Sequence, residues 1–159
     1  MKWTLIAASV VILAAIGLFL YAAHWMAGWS RFEFEVGQVA LGKISTAGVP
    51  VPEGAAEPMY WYECGIDHTA YMSYVLPKED VPANVRQVMG AWGAAGTPRQ
   101  GMRSEFYWIN TGPKRKPAGW QTRYWDLASV HDGIMYEERY RFVCGDLGTG
   151  RVYVSTWSE

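Results

Sequence analysis

The segment IMYEERYRFVC, residues 134–144, poses the sharpest chemical question in this sequence. Ile134, Tyr136, Tyr140, Phe142 and Cys144 fall on one side of a period-two repeat, with Glu137, Arg139 and Arg141 on the other. Strict alternation puts Glu138 among the inward aromatics. A carboxylate held there has a raised pKa or needs a cationic partner, which makes it a candidate acid or ligand-binding group. Two plainer readings compete: a bulge that turns Glu138 outward, or neutralisation by Arg123 from a neighbouring strand.

Other chemistry-bearing residues offer less. His131-Asp132-Gly133 and the glycine-rich Gly145–Gly150 read as turns between strands, because no helix pattern follows either of them. His68 and Met72 are the residue types that bind soft metals, but four residues along a strand span about 13 Å, too far for one ion. Asp67 next to His68, and Glu63 next to Cys64, read as chance adjacency rather than a cleft. No nucleophile elbow, phosphate loop or paired-histidine metal motif is present, so the reading is non-enzymatic, with no cofactor and no metal.

The 2 cysteines, Cys64 and Cys144, each close a strand pattern on an aromatic face. In an oxidising compartment they are expected to pair. A bridge closing a loop of roughly 80 residues is worth about 4.5 kcal/mol in the chain-entropy account. It would make the two strands near neighbours.

The compartment follows from the N-terminus. Between Lys2 and Arg31 there is no formally charged residue, and Trp3–Ala27 is almost wholly apolar. As a helix this run is about 37 Å long, enough to cross a bilayer core of about 30 Å. A cleaved signal has a shorter apolar region and a small-x-small site. Cuts near Ala22, Ala23 or Ala27 place Leu20, Tyr21 or Trp25 where a small residue is wanted. The expectation is an uncleaved signal-anchor in membrane lipid, with the N-terminus cytoplasmic and the C-terminal domain periplasmic or otherwise extracytoplasmic. Tyr21, Trp25 and Trp29 would form the interfacial aromatic belt, with His24 at headgroup depth.

These signals divide the chain into an anchor (1–30), a juxtamembrane strand and Gly/Pro-rich loop (31–58), and a compact β-rich domain (59–159). RFEFEV alternates as a strand, and Gly42–Pro58 lacks periodicity and reads as loop. MYWYEC and TAYMSYVLP form an expected hairpin. One exported helix is expected at KEDVPANVRQVMGAWG, with Asp80 as N-cap and Val81, Val85, Val88, Met89 and Trp92 on one face. MRSEFYWIN, WQTRYWDLASV, IMYEERYRFVC and RVYVSTW read as further strands. The fold class is therefore an α+β exported domain: an antiparallel curved sheet or small barrel of about seven strands with one packed helix.

Formal net charge is -1, which gives no field to attract nucleic acid. The 9 Trp and 10 Tyr exceed what a one-sided sheet can bury. Trp108, Trp120 and Trp125, with Glu138, are the candidate binding residues. Either the helix and a long loop cover the second face, or these rings meet a partner. The functional expectation is an accessory subunit docking through aromatic surface on a protein partner in a membrane or envelope complex. The alternatives are an envelope glycan or peptidoglycan binder or hydrolase using Glu138 and surface Trp residues, and an inhibitor or immunity protein against an envelope-targeting enzyme.

Overall fold

The computed structural model describes residues 12–23, 31–64, 67–101, 104 and 107–158. Residues 12–23 are helical (α1). Next come β1 (Arg31–Val36), α2 (Gln38–Thr46), β2 (Ala56–Cys64), β3 (His68–Val75), α3 (Val81–Ala91), β4 (Arg99–Gln100), α4 (Tyr107–Thr111), β5 (Gly133–Glu138), β6 (Arg141–Asp146) and β7 (Arg151–Ser158). The strands form one antiparallel sheet in the order β1-β2-β3-β7-β6-β5-β4.

Both faces of the central strands are buried, because successive residues are apolar rather than alternately polar. In β2, Tyr60 and Tyr62 face one side and Met59 and Trp61 the other. The first face carries Met72, Tyr74, Val143, Val152 and Val154 under α2 and α3. The two helices supply Ala40, Ile44, Val81, Val85, Val88 and Met89. The second face carries Trp61, Tyr71, Met135, Phe142, Cys144 and Tyr153. It is covered by an irregular blanket that contributes Ile109, Tyr124, Trp125, Leu127 and Val130. A large part of the aromatic surplus is thus consumed by a second core.

The blanket replaces two expected strands. EFYWIN ends in the short helix α4, which Gly112 terminates at φ 67. WQTRYWDLASV folds into 3-10 turns at Thr122–Tyr124 and Leu127–Ser129. Hydrogen bonds fasten it to β3. Tyr71 Oη donates to the Trp108 carbonyl at 3.1 Å, and Ser73 Oγ to the Tyr124 carbonyl at 2.6 Å. Trp125 Nε1 donates to the Ile109 carbonyl at 2.7 Å, closing the blanket on itself.

Conversely, IMYEERYRFVC is two strands, not one. Glu138 pairs with Arg141, so Arg139-Tyr140 form a tight turn, with Arg139 at φ 39. The strand total agrees with the sequence expectation only because this gain, the short β4 and the two losses compensate. The loop expected from Gly42 begins inside α2.

The membrane anchor is corrected. Among the described residues no helix is long and apolar enough to cross a membrane. A single-pass membrane placement, and the extracytoplasmic address drawn from it, are not supported. Tyr21 lies on α1 and is exposed, whereas His24, Trp25 and Trp29 lie outside the described residues.

The disulfide is corrected as well: Cys64 and Cys144 are free thiols. Between their strands stand β3 and β7, so the backbones are at least three strand spacings, roughly 14 Å, apart across the sheet, and the register offsets them further along it. They also point to opposite faces, Cys64 with Tyr62 and Cys144 with Phe142 in the second core. No rotamer closes that gap.

Candidate functional site

The most chemically furnished opening lies at the hairpin end of β2 and β3, on the blanket side of the sheet. Cross-strand register puts Glu63, Thr69 and Trp157 in one row across β2, β3 and β7. Tyr71 is the next residue along that face. Trp108 enters from α4, held by the Tyr71 hydrogen bond to its carbonyl. Pro113 and Lys114 extend from the chain after α4, and Asp67 stands on the hairpin connection. Together they bound a cleft of about 590 Å³.

Three aromatic rings wall this cleft at mutual angles. Tyr71 and Trp108 meet edge to face, with centroids 6.3 Å apart and planes at 77°. Trp108 and Trp157 are 6.3 Å apart at 53°. Behind Trp157, Tyr140 packs at 4.6 Å and backs it from the β5–β6 turn. The Tyr140 carbonyl also accepts from the Trp157 amide at 2.8 Å, fixing the end of β7. The rings are therefore positioned by backbone and packing. Charge at the rim comes from Glu63, Asp67 and Lys114, two carboxylates against one ammonium. Burial holds the Tyr71 phenol well above its ordinary range, and the Glu63 carboxylate pushes it further in the same direction.

A second concave region, about 380 Å³, lies around the start of β7. Here Glu57, at φ 48 beside a register shift in β2, accepts hydrogen bonds from both Arg151 and Arg123. Arg151 is 6% exposed and also lies 3.5 Å from Ser73 Oγ. Asp146 is spent locally, accepting from the Gly148 amide at 2.9 Å and the Thr149 hydroxyl at 2.6 Å to shape the β6–β7 turn. These groups satisfy one another, which marks a structural ionic network rather than a vacant site.

The expected site residues separate. Glu138 is exposed at the β5–β6 turn and accepts from Tyr136 Oη at 3.0 Å. It keeps the face of Ile134 and Tyr136 but ends β5 at the turn, where that face is open to solvent. Arg123 pairs with Glu57, not with Glu138. Trp125 is a core residue at 5% exposure, and Trp120 packs on Phe34 and Tyr124. Only Trp108 reaches the cleft. Glu63 and Asp67, read from the sequence as chance neighbours, line it together. Trp157 was missed, because its position in the cleft depends on β7 entering the sheet beside β3. His68 lies on the opposite face, sharing a 2.6 Å hydrogen bond between its Nδ1 and the Tyr62 hydroxyl. Among the described residues no three His, Cys, Asp or Glu side chains converge as a metal site would require.

Comparison of the chain with protein-family models, with curated proteins and with solved structures found no match.

Proposed function

We propose that this domain is a non-enzymatic binding protein that takes a small organic ligand into the cleft between Tyr71, Trp108 and Trp157. The observation that carries this reading is the cleft itself. At about 590 Å³ it lies within the range of about 300–1,000 Å³ typical of small-molecule sites, which combine apolar walls with a few polar groups. The rings supply contact area, and Glu63, Asp67 and Thr69 supply orientation. The rim residues sit on strand ends and on a fastened loop, so the shape is largely present before a ligand arrives. This keeps the entropic cost of binding low.

The test is a protein-observed NMR screen of the full chain against cationic, anionic, neutral and saccharide fragments. Hits are expected to shift the indole signals of Trp108 and Trp157 while leaving buried Trp61 and Trp125 in place. Trp157→Ala should abolish those shifts. Hits that move other signals, or none at all, would overturn the reading.

A second reading rests on the same pair of carboxylates beside aromatic rings, the outline of a glycan-cleaving site. It predicts turnover of an oligosaccharide that is lost in both Glu63→Gln and Asp67→Asn. Binding without turnover leaves the first reading standing.

A further inference from the structure

We propose that the ligand of this cleft presents an alkylated ammonium group, enclosed by the rings of Tyr71, Trp108 and Trp157 and balanced by Glu63 and Asp67. The inference rests on the binding role proposed above and names the class of ligand.

The first argument is the shape of the walls. A sugar stacks on one flat, open ring face. Here the rings stand at 77° and 53° to their neighbours, so no single platform is offered. Inclined rings instead form a partial box, which a rounded group can touch on several sides at once. Aromatic faces carry negative quadrupole density, so rings that line a cleft favour a cation, with Tyr71, 4% exposed, as the floor and Trp108 and Trp157 as the more open walls.

Charge is the second argument. Among the described residues the lining holds Glu63 and Asp67 against Lys114 as its one cation. An anion entering here would be repelled by two carboxylates, and a neutral ligand could take hydrogen bonds from them but no charge pairing. Glu63 stands in register with Thr69 and Trp157, placing its charge in the same row as one wall of the box.

Hydrogen bonding is the third. The Tyr71 hydroxyl is committed to the Trp108 carbonyl, so this buried wall presents ring rather than a free donor. A primary ammonium has three donors to satisfy; Glu63, Asp67 and Thr69 can accept on the rim, but a donor aimed at the ring walls would go unmet. Each added alkyl group removes one of those donors and spreads the charge over carbon, and a fully alkylated, quaternary ammonium makes no such demand.

The experiment compares three small probes on the full chain by NMR titration at low salt. These are choline, its uncharged isostere 3,3-dimethyl-1-butanol, and glycine betaine, which adds a carboxylate to the same head group. Choline is expected to bind at least about ten-fold more tightly than the isostere, because only the charge differs. Betaine should bind more weakly than choline, since its carboxylate meets Glu63 and Asp67. Glu63→Gln, which leaves the rings intact, should weaken choline about three-fold or more and leave the isostere unchanged. Circular dichroism confirms that each variant keeps the wild-type fold. Equal binding of choline and the isostere would overturn the ammonium inference and leave the binding role intact. So would saccharide binding at Trp157 without choline binding. If none of the three probes binds, the inference falls, and the broader fragment screen decides the binding role independently.

Discussion

Arg151 holds a positive charge almost out of water, and Glu57 is the anion that answers it. Glu57→Gln removes that charge while keeping size, shape and one acceptor oxygen. A hydrogen bond to a charged group contributes about 1.5–3 kcal/mol. Arg151 is 6% exposed, but the Glu57 side chain is 38% exposed, so water recovers part of the loss. We therefore expect a destabilisation of about 2 kcal/mol, toward the lower half of that range. For a folded unit of this size the melting temperature should fall by about 6–8 °C. Arg123 provides the control. It bonds the other Glu57 oxygen at 2.9 Å, but its side chain is 54% exposed. Arg123→Gln should cost about 0.5 kcal/mol or less, and that cost should vanish in high salt.

The backbone of Glu57 adds an internal check. At φ 48 it occupies the left-handed region, which costs a residue with a Cβ about 1 kcal/mol or more and glycine almost nothing. Glu57→Gly should therefore be more stable than Glu57→Ala by about 1 kcal/mol, although both lose the carboxylate. Urea unfolding followed by circular dichroism measures all four variants, and a constant slope keeps the comparison two-state. If Glu57→Gln cost no more than Arg123→Gln, or if Ala matched Gly, the account of this network would be wrong.

The cysteines and the alkaline range supply two further tests. A thiol reagent at neutral pH should label Cys64, which is partly exposed, and label Cys144 only on unfolding; equal labelling of both in the folded chain would refute the second core. Burial, with Asp146 adding to it, pushes the Cys144 thiol up to about 12 from 9.0, and burial, with Glu33 adding, pushes Tyr60 up to about 12 from 10.0. The folded state therefore holds more protons than the unfolded one between pH 9 and 12, so stability is level below pH 9 and falls as pH rises, by about 1.4 kcal/mol per pH unit for each group. Thermal melts across this range check the slope, and Cys144→Ala should delay its onset toward pH 10.

The sequence disclosed those parts of the fold whose signals are local. Val81, Val85, Val88 and Met89 recur at helical spacing, and α3 buries all four. MYWYEC and TAYMSYV flank a short connection, and they pair as β2 and β3. Where tertiary contacts decide, the pattern misleads. The alternation in EERYRF runs on through the Arg139-Tyr140 turn, because no Asn-Gly or Asp-Gly announces it. Trp120, Tyr124 and Trp125 have the composition of a strand. Their segment instead lies on the sheet as turns, held by the Tyr124 carbonyl, which accepts from Ser73 Oγ, and by Trp125 Nε1, which donates to the Ile109 carbonyl. The cleft was half legible. Glu63 and Asp67 lie close in sequence, whereas Trp157 joins them only through the β3–β7 register. That is a pairing between segments more than 80 positions apart, and no local pattern encodes it.

The doubly covered sheet also constrains how this chain can change length. Along β3 and β7, odd and even positions belong to different interiors, one roofed by helices and the other by the blanket. Adding or deleting one residue within either strand would exchange those memberships, sending Met72 and Val154 under the blanket and Tyr71 and Tyr153 under the helices. Two residues would restore the parity. Length variation in the central strands should therefore come in pairs.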